Sequence, residues 1–190
     1  IHETSESVSH FMKLRKGSQN AAGLAVGIVA SKFNKSVTSR LLTECIKALT
    51  AAGASDEAIE VVRVPGAFEI PLVARQLARS GRFDAVICLG AVIRGDTPHF
   101  EFISAEVSRG ILQASLDTNL PVVFGVLTTD TVAQAVERAD PARLNRGADA
   151  AKTAIEMVNV MRQLKKEELE GVPPAASSRQ PRRTATRSTR

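Results

Sequence analysis

Tryptophan and tyrosine are absent from the 190 residues, and seven phenylalanines supply all the aromatic surface. Any flat platform for a ring must therefore be built from Phe. Cysteine is nearly as scarce. Cys45 and Cys88 stand far apart, too few for a disulfide scaffold or a cysteine-rich metal site, and they suit a reducing compartment such as the cytoplasm. No apolar run approaches the ~20 residues needed to cross a bilayer. No cysteine–histidine cluster has metal-ligand spacing, and no glycine-rich loop matches a dinucleotide or P-loop signature. Internal repeats are lacking too. Residues 171–190 hold five arginines and no Asp or Glu. Residues 1–170 then carry 20 basic and 20 acidic side chains, so the formal net charge of +5 belongs to the tail.

What is present is a globular composition, 44% hydrophobic and 24% charged. One domain is expected over residues 21–170. It is flanked by a polar, mobile segment at 1–20 and a disordered Pro/Ser/Thr/Arg-rich tail at 171–190. The first residues lack the apolar core of a secretory signal. A start at Ile1 instead of Met is compatible with a processed end, including a trimmed organelle-targeting segment.

The apolar pattern alternates between strand and helix. Strands are expected at Leu24–Ala30, Ile59–Val64, Asp84–Ile93 and Pro121–Leu127. Helical stripes follow each: Val37 to Ala52 ended by Gly53, Pro71 to Gly81, about His99 to Ala114, and Thr131–Ala139 with a last helix over about Arg146–Leu169. This order predicts a three-layer α/β/α sandwich around a mainly parallel four-stranded sheet, flavodoxin-like in architecture.

Ligands bind beyond the carboxyl ends of strands in such a sheet. Four segments land there: Ser31–Asn34, Pro65–Glu69, Arg94–His99 and Thr128–Asp130. Within the third, Gly95 permits a tight turn, Asp96 or Thr97 can cap the following helix, and Pro98 suits its first position. Unpaired N–H groups of that turn form an anion site. His99 stands beside it, and an imidazole is the side chain ordinarily suited to moving protons near neutral pH. Each residue also has a plain reading: a capped helix with an exposed His, a core Phe33, a Glu69 that merely favours a helix start, and solvated Arg138 and Arg146. Cys45 and Cys88 read as inert core, and His2 and His10 as surface groups.

The strings ASKFN (30–34), VPGAFEIP (64–71), GAVIRGDTPHFEFISAEVSRG (90–110), FGVLTTDTVAQAVERA (124–139) and NRGADAA (145–151) resemble the lumazine synthase family of riboflavin biosynthesis. The likeness runs in order from about Leu24 to about Leu164. It implies condensation of 5-amino-6-(D-ribitylamino)uracil with 3,4-dihydroxy-2-butanone 4-phosphate, giving 6,7-dimethyl-8-ribityllumazine, with no metal or organic cofactor. By the same resemblance Phe33 stacks on the pyrimidine, and Asn34 and Glu69 meet the ribityl chain. Gly66, Ala67 and Phe68 shape the pocket, and the backbone at Val92 and Ile93 reads the ring edge. Asp96 and Thr97 bind the phosphate, and His99 carries protons. Phe124, Arg138 and Arg146 come from a neighbouring subunit, Phe124 over the ring and Arg138 on the phosphate. Asp149 either pairs with Arg146 or orients His99.

Two positions depart from the family pattern. Arg146 stands where many relatives have lysine, and Asp96 puts a negative charge beside a phosphate site. The resemblance further implies small-molecule substrates, a homopentamer, and association with riboflavin synthase. The short connection Asp140–Leu144 resembles members whose twelve pentamers close into an icosahedral shell. Three rival readings remain: the archaeal type of riboflavin synthase, a non-catalytic flavin- or lumazine-binding relative, and RNA binding through the tail in addition to catalysis. No membrane partner is expected.

Overall fold

Four aliphatic runs form the strands of a computed structural model that describes residues 14–171, with side chains through residue 167. They are β1 (Val26–Ser31), β2 (Ile59–Val64), β3 (Ala85–Ile93) and β4 (Val122–Thr129). The helices are α1 (Lys35–Ala51), α2 (Ile70–Arg79), α3 (His99–Thr118), α4 (Val132–Ala139) and α5 (Arg146–Gly171). All strand pairs are parallel, in the order β2-β1-β3-β4. The expected three-layer α/β/α sandwich is thus observed; β2 keeps its expected bounds, and the other strands shift by at most two residues at either end. The expectations for the basic tail, and those for residues 1–13, lie outside the described residues. Among those that are described, no helix is long and apolar enough to cross a membrane.

The inner strands are aliphatic throughout because both faces of the sheet are covered. On one face α1 and α5 lay Cys45, Leu49, Ala151 and Ile155 over Ile28 and Ile87. On the other, α2 and α3 bring Ile70, Leu77, Val107 and Ile111 against Val29, Val86 and Cys88. α4 closes the first face near the strand ends, with Ala135 and Ala139 against Val37, Leu41 and Leu127. Each fully buried Leu or Ile contributes about 1.5–3 kcal/mol of apolar transfer energy. Burial pushes the Cys45 thiol up to about 12 and the Cys88 thiol higher still, so both behave as small apolar groups.

Helix ends follow local chemistry. Gly53 adopts a left-handed φ of 103° just past α1, as its position predicts. Thr131 caps α4, its hydroxyl accepting the Gln134 N–H at 3.2 Å. The expected cap of α3 is corrected. Pro98 occupies the cap position with no side-chain cap bond, and neither Asp96 nor Thr97 supplies one. Pro98 takes that place because its ring holds φ at −69°. The described part of the N-terminal segment runs along α5: the Asn159 amide donates to the carbonyls of Ser18 and Asn20, both at 3.1 Å.

One close approach sets the start of α5. A Cβ at Gly147 would lie 2.3 Å from the Leu41 carbonyl oxygen of α1. Only glycine permits α5, and with it Arg146, to sit that near. Gly147→Ala is expected to cost about 1–3 kcal/mol through overpacking, read as a lowered midpoint in chemical denaturation.

Candidate active site

The strand order reverses between β1 and β3, and the chain diverges there. A cleft of about 630 Å³ opens at that point, beyond the ends of β1, β2 and β3. Its walls hold ten of the residues anticipated from sequence: Phe33, Asn34, Gly66, Ala67, Phe68, Glu69, Val92, Ile93, Thr97 and His99. Phe33 and Phe68 are 69% and 58% exposed, far too open for core residues, so the plain reading of Phe33 fails.

Three local bonds shape this cleft. Asn34 sits in the left-handed region at φ 53°, directly before α1, and its side-chain amide donates to the Ala91 carbonyl at 2.9 Å. The Phe33 N–H donates to the Pro65 carbonyl at 3.1 Å, tying the β1 and β2 exits together. Glu69 accepts the Gly66 N–H on Oε2 at 2.8 Å, which leaves Oε1 for a hydroxyl.

β3 supplies the floor. Its pairing with β1 ends at Leu89, yet the strand runs on to Ile93 beside β4. The Ala91 carbonyl bonds Asn34 on the cleft side, while the Arg94 N–H bonds Thr129 on the β4 side. Strand alternation therefore turns the N–H and C=O of Ile93 toward the cleft. Both are placed to read the edge of a flat amide-bearing ring. At the far wall α3 begins with first-turn N–H groups that no side chain caps, next to Thr97 and His99. Such a helix start favours an anion.

The remaining site residues lie elsewhere. Phe124, Arg138 and Arg146 line a second hollow of about 600 Å³ along the free edge of β4. It shares no lining residue with the first. Arg138 has no carboxylate partner among the described residues; its Nη1 reaches only the Gln134 carbonyl at 3.5 Å. Arg146 pairs with Asp149 at 3.0 Å, so within one chain Asp149 serves that arginine and not His99. Thr128 faces this second hollow as well. Asp96 is exposed and lines neither hollow.

Sequence reasoning missed three residues of the cleft wall, Ala91, Phe100 and Ile103, while Gly95 joins them from the turn already singled out. Phe100 directly follows His99 and was legible as its neighbour, whereas Ile103 reads only as part of a core stripe. It also missed Arg94. The Arg94 guanidinium donates from Nε to Asp130 at 2.7 Å and from Nη1 to Glu101, and stands 4.3 Å from the Phe100 ring centre. Its hydrogen bond holds the Glu101 carboxyl below its ordinary range, and Asp130 with Glu101 holds Arg94 above its own.

A switch-point cleft lined by exposed phenylalanines, an open strand edge and a helix start without a side-chain cap mark a flavodoxin-like α/β domain. A family model described as 6,7-dimethyl-8-ribityllumazine synthase matches residues 23–162. A protein named 6,7-dimethyl-8-ribityllumazine synthase from Syntrophus aciditrophicus (strain SB) is 62% identical over 144 residues, 76% of this chain and 94% of that protein. The chain belongs to the 6,7-dimethyl-8-ribityllumazine synthase family.

The Asn34 geometry makes a stability prediction. Asn34→Ala loses the bond to Ala91 and also strains a positive φ; Asn34→Gly loses only the bond. The alanine variant is expected to be less stable than the glycine one by about 1 kcal/mol, measured by equilibrium unfolding.

Proposed function

We propose that this chain condenses 5-amino-6-(D-ribitylamino)uracil with 3,4-dihydroxy-2-butanone 4-phosphate to 6,7-dimethyl-8-ribityllumazine. Family membership supports the reaction. The observation that carries the site assignment is the single cleft in which Phe33, Glu69, the Ile93 backbone and His99 meet at the start of α3.

The pyrimidine stacks on Phe33, with its amide edge on the Ile93 N–H and C=O. The ribityl hydroxyls fall to Asn34 and Glu69, in the pocket formed by Gly66, Ala67 and Phe68. The phosphate takes the first-turn N–H groups of α3 and the Thr97 hydroxyl. The amine adds to the ketone and water leaves as the imine forms. Phosphate then departs with the electron pair of its C–O bond. The ring closes with loss of a second water. His99 is the shuttle for these proton transfers, since an imidazole exchanges protons near neutral pH. Holding two reactants in register supplies several kcal/mol of the acceleration.

The phosphate still lacks a guanidinium, and the ring lacks a cover. Both sit in the second hollow, as Arg138 and Phe124. A neighbouring copy that docks its β4 edge against the cleft supplies both. An arginine fork matches a phosphate, and Arg146 adds a planar cation where lysine is common in the family. Such a head-to-tail contact forms a ring when the rotation between copies closes. The ring proposed is a pentamer, alone or as one of twelve in a hollow shell, as the family resemblance implies. The exposed Phe102, Leu112 and Leu116 along α3 give apolar surface for such contacts.

Mixing the purified protein with both substrates is expected to yield lumazine fluorescence, and light scattering on that sample separates a pentamer from a 60-subunit shell. His99→Ala is expected to lower kcat more than it weakens substrate binding. Arg138→Ala should chiefly raise KM for the phosphate substrate. The composite site has its own test. If each variant is made inactive enough to read, co-refolding His99→Ala with Arg138→Ala restores about a quarter of the sites, because one junction in four joins two intact halves. No recovery on mixing would place both residues in a site within one chain.

A further inference from the structure

The segment Gly95–Pro98 is exposed and is held by no bond from a side chain of its own. It nevertheless carries Thr97 and leads directly into His99. Something must fix it. The backbone before it is anchored, since the Arg94 N–H donates to the Thr129 carbonyl at 2.9 Å and continues the β3–β4 ladder. The helix after it is anchored through Ile103, half-buried against the core about one turn on, and then through Val107 and Ile111. Among the described residues, the side chain that hydrogen-bonds across the stretch before Ile103 is Arg94. Arg94 reaches Asp130 at the end of β4 and Glu101 in the first turn of α3, and lies over the Phe100 ring. Its three contacts are planar and directional, so they define both where the first turn of α3 stands and how it is rotated.

We propose that Arg94 is a positioning residue, whose guanidinium clamps the first turn of α3 to the end of β4 and thereby fixes Thr97 and His99 in the cleft. The clamp also has an electrostatic consequence. Glu101 lies in the very turn that receives the phosphate, and Asp130 lies beside it through the shared arginine. With Arg94 present, both carboxylates face a cation. Without it, two unpaired negative charges stand near the incoming phosphate. The heterocycle side of the cleft is untouched, because Phe33, Asn34 and Glu69 hang on β1, β2 and Ala91.

The kinetic part of this inference rests on the proposed reaction, so the test has two arms. In the first, amide hydrogen exchange is followed in the full-length protein without substrates. Arg94→Gln should exchange faster at residues 95–101 while the strands keep wild-type protection. This arm stands whether or not the protein makes lumazine. In the second, Arg94→Gln is expected to lower kcat about tenfold or more, since a displacement near 1 Å can cost a hundredfold. It should also raise KM for the phosphate substrate and leave KM for the pyrimidine within about twofold, because no pyrimidine contact depends on the clamp. Arg94→Lys keeps the charge but loses the fork and the ring contact. It should recover the phosphate KM and not kcat.

Unchanged exchange at 95–101, or Arg94→Gln kinetics equal to wild type, overturns the clamp. So does a loss of kcat accompanied by an equal rise in the pyrimidine KM and a fallen melting temperature, which is the mark of a general structural role. Absence of lumazine from the wild-type protein overturns the proposed reaction instead, and the exchange arm then decides the clamp.

Discussion

β3 outruns β1, and the cleft depends on that overhang. The last paired position is Ala30 with Leu89, while the strand continues through Ile93. Backbone groups left without a neighbour at a strand end must find another partner or stay in water. Asn34 takes the Ala91 carbonyl, and the chain can reach it only through the left-handed turn that ends β1. What remains open is the edge at Ile93. The N–H and C=O of Ile93 are left for a partner other than a strand, so the open surface is the unfinished part of the sheet itself.

Charge is arranged around this edge on a chain whose first 170 residues balance to zero. The start of α3 offers partial positive charge without a capping side chain. Two carboxylates nearby are bound by Arg94. Across the sheet, Arg138 has no carboxylate partner among the described residues and lies beside the free edge of β4. An uncovered edge strand is ordinarily an invitation to unwanted pairing. Here it carries Phe124 and lies beside Arg138 and Arg146, whose charge discourages pairing with another strand.

Much of this was legible in the chain. The four aliphatic runs and the stripes between them placed every strand and helix, since those periods follow from burial on two faces or one. The strand-end rule gathers Phe33, Gly66–Glu69 and His99 from the order of elements alone. The α3 start was misjudged because Asp96, Thr97 and Pro98 all suit a helix start, and choosing among them needs the actual path of the turn. Arg94 went unnoticed for a similar reason. Beside Gly95 it reads as an ordinary surface cation, and its partners lie 7 and 36 positions away.

The sequence by itself determined the order of elements, the parallel sheet and which loops crowd its carboxyl end, because periodicity and turn residues act over a few neighbours. Only the tertiary structure decided that His99 and Arg138 open onto separate hollows, that Asn34 locks onto Ala91 across 57 positions, and that one arginine bridges β4 to α3. Those facts depend on how distant segments are brought into register by the packing of whole layers, and no local pattern encodes that distance.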